Sequence, residues 1–91
     1  MWYVYVLLSK KDNEMYVGCT KDLKARYKKH QQGLVTSTKF RKPFLLIYYE
    51  ACLNKQDAFR REIYLKSGYG HKWLNNRLKL YDDERKVAEG Y

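Results

Sequence analysis

Hydrophobic and polar positions fall into short, distinct blocks along this chain. Residues 2–8, Trp-Tyr-Val-Tyr-Val-Leu-Leu, are aromatic and β-branched and too few for a helix. They predict a strand with Tyr3, Tyr5 and Leu7 on one face and Trp2, Val4 and Val6 on the other. The polar run from Ser9 to Glu14 contains Asp12-Asn13, a turn signal, and Met15 to Cys19 reads as the returning strand. A turn centred between Lys10 and Lys11 would set Tyr5 directly opposite Tyr16, whereas a one-residue slip would put the two on opposite faces.

Thr20 reads as an N-cap and Asp22 suits the first turn of a helix. Leu23, Arg26, Tyr27 and His30 then recur at i, i+3, i+4 and i+7 as a single stripe, and Gly33 ends the helix. Residues 34–44 form a polar, basic loop. Phe44 to Glu50 is a third strand, apolar enough to be the central one. Asn54 and Asp57 start a second helix in a capping-box-like arrangement, with Ala58, Phe59, Ile63 and Leu65 as its apolar face. Ser67-Gly68-Tyr69-Gly70 closes it, and His71 to Leu80 reads as a short third helix packing through Trp73, Leu74 and Leu78. Asp82 to Tyr91 is a charged, frayed or loosely docked tail. The expectation is an α+β fold, sandwich-like, with a small central antiparallel three-stranded sheet flanked by helices in the order β-β-α-β-α-α. Residues 1–80 would be one domain and 81–91 its tail.

Length permits one small domain. No apolar run approaches the roughly 20 residues of a membrane span. The N-terminus passes from Met1 straight into Trp2-Tyr3-Val4 without a basic segment, so no signal peptide is expected. Two cysteines, Cys19 and Cys52, are too few and too far apart for a disulfide scaffold or a zinc site, which reads as a cytoplasmic protein with reduced thiols. Charge changes the picture more. Nineteen Lys and Arg against ten Asp and Glu leave a net +9, a strong field on so small a body, so polyanions are the expected partners unless the charge serves only solubility. Ten tyrosines among those charges favour nucleic acid.

Three residues sit where burial disfavours them. Arg26 and His30 lie on the inward stripe of the first helix, and Glu62 stands among Ala58, Phe59 and Leu65 on the second. Either an Arg26–Glu62 ion pair with His30 at a helix edge explains them, or they have a task. Arg60, Arg61 and Lys66 read as ordinary helix-surface charges. Lys39, Arg41 and Lys42, with the loop's three hydroxyls, suit phosphate contacts, or else belong to a solvated loop.

The Tyr-Val-Tyr strand, Tyr16-Val17-Gly18, the Arg and His of the next helix and the later Glu together resemble the GIY-YIG nucleases. Most similar are the small stand-alone members akin to the first-incision domain of the bacterial nucleotide-excision-repair nuclease. Tyr16-Val17-Gly18-Cys19-Thr20-Lys21-Asp22-Leu23, Ser37-Thr38-Lys39, Pro43 with Leu46-Ile47-Tyr48-Tyr49-Glu50, Arg61-Glu62 and Leu65-Lys66-Ser67-Gly68 carry the likeness, over about residues 2–78. Tyr3-Val4 stands where the first signature has Gly-Ile, and Val17 where the second has Ile. Asn75 and Asn76 lie where some relatives use an asparagine.

The resemblance implies a metal-dependent endonuclease acting on nucleic acid, DNA rather than RNA, in repair or processing, with 5′-phosphate and 3′-hydroxyl products. Glu62 would hold one Mg²⁺ or Mn²⁺, and Arg26 would clamp the scissile phosphate. Tyr16 would activate water, Tyr5 would orient it, and His30 would share or relay the proton. Lys39, Arg41 and Lys42 would contact the nucleic acid backbone. A monomer or weak dimer is expected, with no membrane association. The alternative is a non-catalytic DNA- or RNA-binding module on the same fold.

Overall fold

A computed structural model describes residues 1–88, with side chains through residue 85. Strands β1 (Trp2–Ser9) and β2 (Met15–Thr20) are followed by helix α1 (Leu23–Gln31), strand β3 (Phe44–Cys52) and helices α2 (Lys55–Lys66), α3 (Gly68–Arg77) and α4 (Lys79–Ala88). The fold is α+β, as expected, with order β-β-α-β-α-α-α around one antiparallel sheet. No helix among the described residues is long and apolar enough to cross a membrane.

The sheet order is β2-β1-β3, so β1 rather than β3 is central. The reason is visible along each strand. Val4 to Ser9 of β1 are all buried, whereas Leu45 and Tyr49 of β3 are exposed. The sheet separates two cores. Val4, Val6 and Val17 pack against Ala58, Leu65 and Leu74 of α2 and α3 on one face. On the other, Tyr5, Leu7 and Phe44 pack with Tyr16, Leu23, Tyr27 and Leu46 beneath α1. A register shift between Val6 and Leu7 lets Leu46 join Phe44 on the α1 face.

The hairpin turn centres one residue later than the composition suggested, between Lys11 and Asp12. Asn13 adopts a left-handed φ of 62°, which Asn tolerates, and Ser9 Oγ accepts from the backbone N–H groups of Lys11 and Asp12. Shifting a hairpin's centre by one moves the pairing by two. Tyr5 therefore faces Gly18, and Tyr16 faces Leu7. The shift is even, so both tyrosines stay on one face.

Asp22, not Thr20, caps α1, accepting from Ala25 N–H at 3.0 Å. Thr20 instead accepts from Asp22 N–H at 3.2 Å. Gly33 does end the helix, at φ 74°, and Asn54 caps α2 through the N–H groups of Gln56 and Asp57. The inward stripe of α2 differs from the expected one. Ile63 is 70% exposed, while Ala58 and Leu65 are buried and Arg61 and Glu62 half-buried. Arg61 is thus no surface charge. It grips Glu50 of β3 through two hydrogen bonds of 2.9 and 2.8 Å and lies over the Trp73 ring.

Ser67 is at once the C-cap of α2 and the N-cap of α3. Gly68 to Gly70 therefore begin a helix rather than end one. A side chain on Gly70 would collide with the backbone of Tyr64 and Leu65, so its absence is what lets α3 fold back on α2. The expected charged tail is helical through Ala88, and its last residues, 89–91, lie outside the described residues.

Candidate active site

Arg26, Tyr27 and His30 point inward because α1 must cover the Tyr5–Leu7–Phe44 core, and this sequence supplies two polar groups for that face. Hydrogen bonds fix the helix in place. Tyr27 donates to the carbonyl of Phe44 at 2.8 Å, and Gln31 accepts from the Phe44 N–H at 2.7 Å. His30 is thereby carried to the sheet, fully buried rather than at a helix edge.

Around it lies a connected set. The Tyr5 hydroxyl is 2.8 Å from His30 Nε2, and Arg26 Nε donates to the same hydroxyl at 3.4 Å. His30 Nδ1 is 2.8 Å from Thr38 Oγ1. The Tyr16 ring stands edge-on to His30 at 5.2 Å and tilted to Tyr5 at 6.4 Å, between centroids. Gly18, opposite Tyr5, has to be glycine, since a Cβ there would fall on the Tyr5 hydroxyl and ring.

The electrostatics follow from burial around one cation. Loss of solvent pushes the Tyr5 phenol up, against the opposing hydrogen bond from Arg26. The hydrogen bond with Tyr5 raises Arg26, and the nearby Tyr16 adds to it. Burial, then the nearby Arg26 charge, lowers His30 to about 4. His30 is therefore neutral at pH 7 and sits behind Tyr5.

Glu62 stands on α2, on the sheet's other face. Its charge is felt at Tyr5 and at Cys19 of β2, but no hydrogen bond or ion pair joins it to Arg26, which removes the structural ion pair as an explanation. It pairs instead with Lys66 at 2.9 Å, its side chain one-fifth exposed. Among the described residues no group of three or more His, Cys, Asp or Glu gathers. A single carboxylate is a hard oxygen donor and fits Mg²⁺ or Mn²⁺, whose remaining ligands are then water and phosphate oxygens, once Lys66 yields.

The loop residues divide. Lys39 and Lys42 are exposed, with Lys39 Nζ 4.9 Å from the centre of the Phe40 ring. Arg41 is committed to Asp12 at 2.6 Å and to the Glu14 carbonyl. Thr38, one of the hydroxyls assigned to phosphate, is instead fully buried against His30. A buried histidine has two nitrogens to satisfy, and that demand was the signal for a hidden partner. Asn75 lines a cleft between α3 and the hairpin, away from this cluster, with Met15, His71 and Arg85. A second, open groove runs along the α1 face past Tyr3, Lys21, Leu23, Lys24, Leu46 and Tyr49.

The profile of the GIY-YIG catalytic domain matches residues 1–81. The chain is 36% identical over 92 residues to UPF0213 protein CPE1444 of Clostridium perfringens, covering 100% of this chain and 94% of that one. It is 35% identical to UPF0213 protein YhbQ of Escherichia coli O8, covering 98% of this chain and 79% of that protein. The solution NMR structure of UPF0213 protein BH0048 from Bacillus halodurans superposes with a TM-score of 0.53 at 36% identity, covering 84% of each chain.

Proposed function

Since the chain belongs to the GIY-YIG catalytic-domain family, in its stand-alone UPF0213 group, we propose that it is an endonuclease. Its substrate would be nucleic acid, DNA before RNA, cut to a 5′-phosphate and a 3′-hydroxyl during repair or processing. The observation that carries this reading is the buried Tyr5 hydroxyl held between His30 Nε2 at 2.8 Å and Arg26 Nε at 3.4 Å, with the Tyr16 ring beside them, on a chain of net charge +9.

The roles follow from the environments. Tyr5 keeps its proton, because burial raises its phenol and His30 Nε2 lies 2.8 Å away to receive the hydrogen bond. It orients rather than abstracts. Tyr16, as its phenolate, would be the group that takes a proton from the attacking water. Arg26 also offers its remaining N–H groups to the scissile phosphate, where a planar fork matches two oxygens. Glu62 would hold the divalent cation which, when bound, supplies positive charge for the departing 3′ oxygen. His30 serves by holding Tyr5. Lys39 and Lys42 give backbone contacts that position the strand without reading its sequence.

The test is cleavage of labelled linear, nicked, flapped and single-stranded DNA and RNA in Mg²⁺, Mn²⁺ or EDTA, with Glu62→Ala and Arg26→Ala alongside. Loss of transition-state charge stabilisation of this kind costs about 100-fold or more in rate. Both variants should fall at least that far while still binding DNA. Full activity in Glu62→Ala would remove the metal role. Binding without cutting on every substrate would leave a nucleic-acid-binding module.

A further inference from the structure

Thr38 belongs to the loop after α1, yet it is fully buried. Its Oγ1 lies 3.4 Å from the Val35 carbonyl oxygen and 2.8 Å from His30 Nδ1. A carbonyl oxygen can only accept, so in one of the two arrangements open to this hydroxyl its proton goes to Val35 and a lone pair of Oγ1 faces the imidazole. In that arrangement Nδ1 carries the hydrogen. A neutral imidazole has one N–H, so Nε2 is bare and accepts from the Tyr5 hydroxyl at 2.8 Å. With its proton directed to His30, the Tyr5 oxygen presents a lone pair to the Arg26 Nε–H at 3.4 Å.

The Arg26 N–H on the Tyr5 oxygen selects this arrangement over its reverse. Reversing the imidazole would confront the Tyr5 oxygen with two N–H donors and strip its own proton of an acceptor within the set. Nδ1 would meanwhile have to accept from Thr38, breaking the tie to Val35.

We propose that Thr38 is a positioning residue of this site: its hydroxyl dictates which nitrogen of His30 bears the proton, and so makes Tyr5 a donor to His30 and an acceptor from Arg26. Arg26 is thereby held on Tyr5, beside which the Tyr16 ring stands. The chemical consequence rests on the nuclease reading, but the hydrogen-bond series does not.

The experiment therefore has two readouts. Long-range proton–nitrogen NMR correlations on the ¹⁵N-labelled protein report the protonated nitrogen of His30, which is buried, apart from exposed His71. Wild type should show Nδ1–H and a bare Nε2 at pH 7. Thr38→Val keeps the shape and removes the hydroxyl. It should mix or invert the nitrogen pattern and lower kcat about 10-fold with KM within about threefold, as for an interaction felt chiefly in the transition state. Thr38→Ser should restore both. An Nε2–H signal in wild type overturns the proposal, as does an unchanged Nδ1–H pattern in Thr38→Val, whatever its rate. Should Thr38→Val not fold, the wild-type and Thr38→Ser spectra decide alone. If wild type cuts nothing, the nuclease reading fails and the nitrogen pattern still decides the role of Thr38.

Discussion

His30 is buried without a counter-charge, and its neutrality has a stability cost that pH exposes. In the unfolded chain an imidazole titrates near 6.5, whereas burial and Arg26 lower it to about 4 here. Between those values the unfolded state binds the extra proton. The contribution is therefore complete above about pH 6.5 and lost as pH falls towards 4, by about 3 kcal/mol through linkage. Urea unfolding at pH 7, 5.5 and 4.5 should show that slope, and His30→Gln should flatten it; equal slopes in both proteins would refute the assignment. The Asp12–Arg41 pair cannot mimic this effect, because Asp12 is held at about 2 and keeps its charge across that window. At this scale the anomaly was legible in the sequence. Arg26 and His30 stood on an apolar stripe and so required partners. The His30 partner Thr38 was not legible, because nothing in a polar loop distinguishes a hydroxyl that will be buried from one that will be solvated.

Helices α1 and α2 share a device. Each turns an i, i+3, i+4, i+7 stripe to the sheet, and each stripe has an aliphatic or small residue at its start and charge or polarity within: Leu23-Arg26-Tyr27-His30 and Ala58-Arg61-Glu62-Leu65. On α2 the Arg61–Glu50 fork fixes the helix to β3, which leaves Glu62 facing the strands that carry Cys19 and Tyr5. The α2–α3 corner then depends on Gly70, where a Cβ would meet backbone atoms that cannot give way. Gly70→Ala should cost about 3 kcal/mol in denaturant unfolding, at the upper end of overpacking effects. Gly68→Ala, where a Cβ meets open space, should change stability little. Comparable losses at the two positions would show that helix propensity, not the α2–α3 approach, matters there. From sequence both glycines looked like a helix stop, since glycine signals a terminus and a close approach alike.

For the whole molecule, charge decides the mode of association. A net +9 makes binding to DNA depend on counterion release, so log affinity should fall linearly with log salt concentration. Lys39→Ala and Lys42→Ala should each lower that slope by about one, as expected of single phosphate contacts. Arg41→Ala should lower it less, because the Arg41 charge is already spent on Asp12. A larger change at Arg41 than at either lysine, measured by fluorescence anisotropy across a salt series, would reverse this assignment.

The sequence by itself determined the elements and the odd residues. Strand and helix periodicity placed β1, β2, α1 and α2, and the cost of burying charge singled out Arg26, His30 and Glu62. That Tyr5 and Tyr16 share one face was conditional on register, and the observed even shift, which preserves the side of a strand, settled it. Only the tertiary structure decided which strand is central and that Tyr5 faces Gly18. It alone showed that Arg26 bonds Tyr5 instead of Glu62, and that Thr38 is buried against His30. The physical reason is the same throughout. Periodicity is a property of neighbours along the chain, whereas strand order, hydrogen-bond polarity and desolvation depend on which distant groups exclude water from one another.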